Sequence, residues 1–252
     1  MAKAALDDSA KQRCRKREKP DEGRFASAVS LSRIQKLIGQ RMLASKRNKP
    51  CFYIESKADV TELMGQRQKF SKSLGVRVTS NAFLIRALAR AAKAYPFMIG
   101  RLDSGDCGDN IRIADAVNVG FAVNAPQGVI VPVIKDADKK TLAEIAHEEK
   151  LFTEKTRSNK LTLAEMEGET IALSNLGAYG IDSFIGIVPP PATTILAVGN
   201  VLPMVIPENG RAVVRKIVRL TLAVDRRIVE STYAARFLKF ITEQLEEPQQ
   251  LA

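Results

Sequence analysis

The sequence predicts an α+β fold, a two-layer sandwich of a mixed β-sheet with flanking helices. Three observations carry that expectation. Apolar residues recur at three- and four-residue steps in some segments and at every second residue in others. The strand-like runs do not alternate regularly with the helical ones, as they would in a doubly wound sheet. Neither GxGxxG nor GxxxxGK[ST] occurs, so nothing marks a dinucleotide or P-loop unit.

The helical periods come first. Leu31, Ile34, Leu37, Ile38 and Met42 step by three and four after Ser30, an expected N-cap, and Pro50 stops the run. Residues 52–58 alternate as a half-buried strand does. A helix is expected from Asp59 or Thr61 through Phe70, and a strongly apolar one from Ser80 or Asn81 to before Pro96. Strands are expected at 111–114, 117–123 and 129–134. Thr141 opens an amphipathic helix carrying Ile145 and Leu151, with His147 on its polar flank. Further strands are expected at 170–174, 185–188, 194–198 and 213–224, separated by Gly, Pro or Asn. A closing helix over 232–245 offers Ala235, Leu238, Phe240, Ile241 and Leu245 for packing.

A chain of 252 residues without internal repeats or a Gly/Ser-rich linker reads as one large domain, residues 30–252, behind a basic arm at residues 1–29. The arm has little apolar content beyond alanine, so burial cannot offset its ordering entropy and it is expected to be mobile. Its six basic side chains between Lys11 and Lys19 lack interleaved aromatics and are diluted by Glu18, Asp21 and Glu22, which disfavours nucleic acid as a partner. Asp7 and Asp8 argue against a transit peptide. With 45% hydrophobic and 27% charged residues, the composition is that of a soluble globular protein. No apolar run reaches the ~18 residues of a membrane span, so no membrane partner is expected. Cys14, Cys51 and Cys107 form no close pair and no CxxC, which fits a reducing, cytoplasmic location, or the mitochondrial matrix in a eukaryote. The net charge of +11 favours solubility first, then phosphate-bearing ligands or acidic partners.

Several separated blocks carry chemistry. Ile38-Gly39-Gln40-Arg41-Met42, Asp59-Val60-Thr61-Glu62-Leu63 and Gly128-Val129-Ile130-Val131-Pro132-Val133-Ile134 come first. Leu173-Ser174-Asn175-Leu176-Gly177, Pro190-Pro191 and Ile195-Leu196-Ala197-Val198-Gly199 follow, and Asp225-Arg226-Arg227-Ile228-Val229-Glu230-Ser231 precedes the last helix. In this order they resemble the catalytic core of the dihydrolipoamide acyltransferase (E2) family of 2-oxo acid dehydrogenase complexes, related in fold to chloramphenicol acetyltransferase. The resemblance runs from about Ser32 to Ala252.

The resemblance implies a homotrimer with active sites at subunit boundaries, able to build a larger cage and to meet the other subunits of an acyltransferase complex. Each site would admit coenzyme A from one side and dihydrolipoyl-lysine from the other. An imidazole would take the thiol proton, and a serine hydroxyl, matched here by Ser174, would hold the oxyanion. Arg67, Thr79, Asn124, Ser174, Asn175, Gly199 and Val201 fall on family positions that line the coenzyme A site. Asn124 and Ile99 depart from the residues common at their positions. Pro248 to Ala252 resembles the tail by which family trimers dock onto each other. No lipoyl domain or complete peripheral-subunit-binding domain is read in the sequence before the core. Asp138-Lys139 belongs to the core's own Ala-Asp-Lys-Lys segment and is not expected to be lipoylated.

The departure that matters most lies in the family motif Asp-His-Arg-x-x-Asp-Gly. Arg226 stands at the histidine, Glu230 at the aspartate and Ser231 at the glycine. A thiol near pKa ~8.5 needs a neutral base titrating near ~6.5, which imidazole supplies. A guanidinium, with a pKa above ~12, cannot accept a proton. The chain's single histidine, His147, lies far upstream. Glu230 is expected to pair with Arg226 or Arg227 at the helix entry. Cys51, where relatives often carry histidine, is expected to be a buried structural thiol. The expectation is a pseudoenzyme: a structural or assembly subunit with acyl transfer lost or strongly reduced. Its rival is an active transferase with an altered base, in which Arg226 lowers a bound thiol's pKa.

Overall fold

The computed structural model of the chain describes residues 29–105, 108–125 and 128–252, so the arm expected at residues 1–29 lies outside the described residues apart from Val29. Two compact units are distinguished, Met1–Lys36 and Leu37–Ala252. In the described part of the first, Ser32 N–H donates to Gln35 Oε1 at 2.8 Å and Gln35 N–H to Ser32 Oγ at 3.2 Å. This reciprocal cap starts helix α1 (Arg33–Asn48), so Ser32 and not Ser30 is its N-cap.

The remaining elements belong to the second unit. They are β1 (Cys51–Asp59), α2 (Thr61–Ser73), α3 (Ser80–Ala94), β2 (Gly100–Gly105), β3 (Gly108–Ile113), β4 (Val119–Phe121), β5 (Val123–Ala125), β6 (Gly128–Ile130) and β7 (Val133–Ile134). Then follow α4 (Leu142–Arg157), β8 (Ile171–Asn175), β9 (Thr194–Glu208), β10 (Arg211–Asp225) and α5 (Ser231–Glu246). Six strands form one sheet in the order β1-β10-β9-β8-β4-β7. β8 runs parallel to β4 and β9, and the other pairings are antiparallel, so the sheet is mixed as predicted. Helices α2, α3 and α5 pack against it, and α4 packs against α3. Phe83, Phe121, Leu196, Leu222 and Phe237 meet in the core, all at most 1% exposed.

Proline explains most of the differences from the expected strands. β9 runs to Glu208, far past the predicted Val198, because β8 flanks it only from Ile195 to Val198. Beyond that point Pro203 and Pro207 pair with β10 alone, where a missing N–H on the open side costs nothing. Asn209 and Gly210, both at positive φ, close the hairpin. The expected strand at 129–134 divides into β6 and β7 at Pro132, and the one at 117–123 divides into β4 and β5 at Ala122. Residues 185–188 form no strand. Ile185 and Ile187 face out while Val188 is buried, which produces the period of two, but the prolines at 189–191 that follow supply no N–H to extend a ladder.

Several side chains lie otherwise than the periodicity suggests. Leu151 is exposed on α4, and on α5 the buried positions include Ala234 and Phe237 in place of Ala235. Leu37, Ile38 and Leu43 of α1 also remain exposed. The α1 helix is instead tied to residues 188–192 by polar groups: Arg41 donates to Pro190 O at 3.0 Å, Ser45 to Val188 O at 2.5 Å, and Lys49 to Ala192 O. The C-terminal residues expected to dock on another trimer pack on their own chain. Leu251 is fully buried, and Gln249 donates to Gln66 at 2.9 Å.

Candidate active site

A cavity of about 1050 Å³ opens where β8 ends, between the start of α3, one face of α4 and the kink of β9. Ser174 and Asn175 enter it because β8 stops there and the chain turns. Asn175 makes the turn with its side chain: Oδ1 accepts from Gly177 N–H at 2.9 Å, and Nδ2 donates to Asn81 Oδ1 at 3.2 Å. The turn then lies flat on β9. A Cβ at Gly199 would fall 1.9 Å from Asp182 O, and one at Gly177 would fall 2.5 Å from Gly199 O. Both glycines are therefore required by backbone approach. β9 shifts register against β10 in the same stretch, between Val218 and Leu220.

Five of the predicted ligand residues line this cavity: Asn124, Ser174, Asn175, Gly199 and Val201. Asn124 Nδ2 donates to the Tyr179 hydroxyl at 3.1 Å across the mouth. Thr79 stands one bond behind the wall. Its hydroxyl accepts from Ala82 N–H at 3.0 Å, capping α3, and donates to Glu149 Oε2 at 3.0 Å. Arg67, half-buried on α2, is not among the lining residues.

Glu149 was not anticipated from the sequence. It lies on the stripe Leu142, Ile145, Ala146, Glu149, Phe152, Thr156 that α4 buries, and it is only 8% exposed. The one signal in the sequence is its place on that apolar stripe. Burial pushes the Glu149 carboxyl above the usual carboxylate range, opposed by the Thr79 hydroxyl, the charge of Arg77, Asn81 and the charge of Arg157.

Arg226 and Glu230 lie elsewhere, exposed in the turn between β10 and α5. Ser174 lies beside Ala197 of β9, which lies beside Thr221 of β10, four residues before Asp225. At about 3.3 Å per residue and 4.8 Å per strand, Ser174 and Asp225 are about 16 Å apart within one chain. The carboxylate that holds Arg227 is Asp225, 1% exposed, which takes Nε at 2.9 Å and Nη2 at 2.6 Å. Arg226 N–H donates to Pro50 O at 3.1 Å, joining the motif to the start of β1.

Cys51 faces the same region. Burial, then the charge of Asp225, push its thiol up, so it is held as the neutral thiol. His147 is exposed on α4. Among the described residues, no group of His, Cys, Asp or Glu has a metal-binding arrangement.

Residues 24–252 match the family of 2-oxoacid dehydrogenases acyltransferase (catalytic domain). The chain belongs to this family. A Rickettsia typhi protein named as the dihydrolipoyllysine-residue acetyltransferase component of pyruvate dehydrogenase complex is 32% identical over 225 residues, 88% of this chain and 55% of that protein. This acyltransferase-family chain thus spans about half the length of the curated relatives it matches. The cubic core of the pyruvate dehydrogenase multienzyme complex superposes with a TM-score of 0.84 at 29% identity, over 90% of this chain and 94% of that one. Chloramphenicol acetyltransferase, at a TM-score of 0.50 and 13% identity over 82% and 94% of the two chains, shares the fold alone. The expected E2-core family and α+β acyltransferase fold therefore stand.

Proposed function

We propose that this chain serves as a structural and assembly core subunit of a 2-oxo acid dehydrogenase-type complex, with acyl transfer lost or strongly reduced. Arg226 carries the proposal. At the position where the family motif has its histidine stands a guanidinium, which cannot take a proton from a thiol. The chain's one histidine is on α4, outside the cavity lining.

The assembly part rests on two observations. The cavity with Ser174 and the turn with Arg226 are about 16 Å apart in one chain, so a site containing both needs a second copy. Leu37, Ile38 and Leu43 of α1 are exposed apolar side chains of the kind that neighbours in a homotrimer would cover. A cage of such trimers, meeting the other subunits of the complex, follows the precedent of the cubic core. The location proposed is cytoplasmic.

Coenzyme A is the ligand proposed for the cavity. Volumes of roughly 300–1,000 Å³ suit small-molecule sites, and this one, at about 1050 Å³, is large enough for an extended ligand. Its lining is mainly apolar, with Arg157 and Lys216 available for phosphate. Lys139 is proposed not to carry lipoate: its Nζ pairs with Asp136 at 2.6 Å.

One observation favours the second reading, an active transferase with an altered base: the cavity contains the carboxylate of Glu149. Acyl transfer from acetyl-CoA to dihydrolipoamide separates the two. The assembly reading expects an oligomer by mass measurement together with turnover at least about 10²-fold below that of Arg226→His. Equal turnover of the two proteins would favour the altered base.

A further inference from the structure

Among the described residues lining the cavity, Glu149 is the only acid. Its position is built from the far side of the cavity wall. Thr79 gives its hydroxyl proton to Oε2 at 3.0 Å while its oxygen is occupied by Ala82 N–H. Asn81 is close enough to favour the ionised carboxylate, and Asn81 Oδ1 in turn receives Asn175 Nδ2 at 3.2 Å. The carboxylate is thereby linked, through two asparagines, to the strand end that presents Ser174. Thr79 is also the N-cap of α3, so the carboxylate it holds lies at the positive end of that helix. Arg77 and Arg157 add positive charge from the loop before α3 and from α4.

We propose that Glu149 is the proton acceptor for a ligand thiol in this cavity, so that residual acyl transfer runs through a carboxylate of the same chain as Ser174. The inference rests on the loss of the imidazole route. The thiol S–H bond breaks and its proton passes to the Glu149 carboxylate. The thiolate forms a C–S bond to the thioester carbonyl, whose oxyanion receives the Ser174 hydroxyl. Collapse breaks the original C–S bond, and the leaving thiolate takes the proton back from Glu149. No oxidant or reductant enters, and both proton and acyl group are accounted for. An ordinary carboxyl near ~4.3 is a poor base for a thiol near ~8.5. Burial raises the carboxyl and so narrows that gap.

The test is acyl transfer from acetyl-CoA to dihydrolipoamide by the full chain, its Glu149→Gln and Thr79→Val variants, and each of these combined with Arg226→His. Glu149→Gln keeps an acceptor for the Thr79 hydroxyl, so the variant should fold and keep its calorimetric affinity for coenzyme A. The residual rate should fall about 10²-fold and its acid limb should flatten. Thr79→Val leaves the carboxylate but removes a bond that favours its ionised form, so the acid limb should move to higher pH. A residual rate and pH profile unchanged by Glu149→Gln overturns the proposal, as does a wild type with no measurable rate. The latter result leaves the assembly function standing. A wild-type rate equal to that of Arg226→His sinks the assembly function, and the Glu149→Gln comparison still decides the role of Glu149.

Discussion

Arg227 holds the buried Asp225 with two nitrogens, Nε on Oδ1 at 2.9 Å and Nη2 on Oδ2 at 2.6 Å, while its own N–H caps Oδ1 at 3.1 Å. The pair locks the turn that carries Arg226. Arg227→Ala leaves a carboxylate that is 1% exposed without its guanidinium. The expected cost is about 1.5–3 kcal/mol, measured by denaturant unfolding. A loss under about 0.5 kcal/mol, the size of an ordinary surface substitution, would show the pair to be incidental.

Gly199 is the tightest backbone contact beside the cavity. Gly199→Ala puts a methyl carbon 1.9 Å from Asp182 O, closer than any van der Waals contact. Either residues 177–182 lift from β9 or the β9 kink opens. The variant should lose about 1–3 kcal/mol and bind coenzyme A more weakly by calorimetry. Wild-type stability and affinity would mean that the close approach is dispensable.

The C-terminal residues offer a third check. Leu251 is fully buried against its own chain, so Leu251→Ala should cost about 2–5 kcal/mol in unfolding. A tail that serves only as an intermolecular plug would instead leave the isolated trimer's stability unchanged and alter cage assembly alone.

Two carboxylates give opposite pH signatures. Lys155 Nζ, 2.5 Å away, and the Thr162 backbone hold Glu165 down at about 2. Its folded value is depressed, so its stabilisation is present above about 4.5 and is lost as pH falls toward 2. The melting temperatures of wild type and Glu165→Gln should therefore converge across that window. Glu149 is raised by burial, so its ionisation costs stability as pH rises through its folded value. Glu149→Gln should match the wild type in acid and gain on it toward neutral pH. The same sign for both variants would contradict the assignment.

Much of the architecture was legible because apolar period and backbone agree along most of the chain. The α3 helix, β1 and β10 follow their patterns to within two or three residues. What stayed hidden depends on neighbours distant in sequence. Pro203 and Pro207 argue against a strand until it is known that β9 lacks a second neighbour there. Ser174 and Asn175 were marked as site residues by their motif, and the structure brings both into the cavity with Asn124, Gly199 and Val201. Arg67 stays outside it, because its turn of α2 is not part of the wall. A glutamate in a charged helix such as α4 reads as solvated, so Glu149 does not stand out in the sequence. Only the packing of α4 on α3 shows it buried against Thr79.

The most direct measurement is turnover of acetyl-CoA with dihydrolipoamide by the wild-type chain and by Arg226→His, assayed side by side at neutral pH. Restoring an imidazole should raise the rate by about 10²- to 10⁴-fold while the oligomer's mass stays the same. Wild-type turnover equal to that of the histidine variant would contradict the claim that Arg226 removes the base.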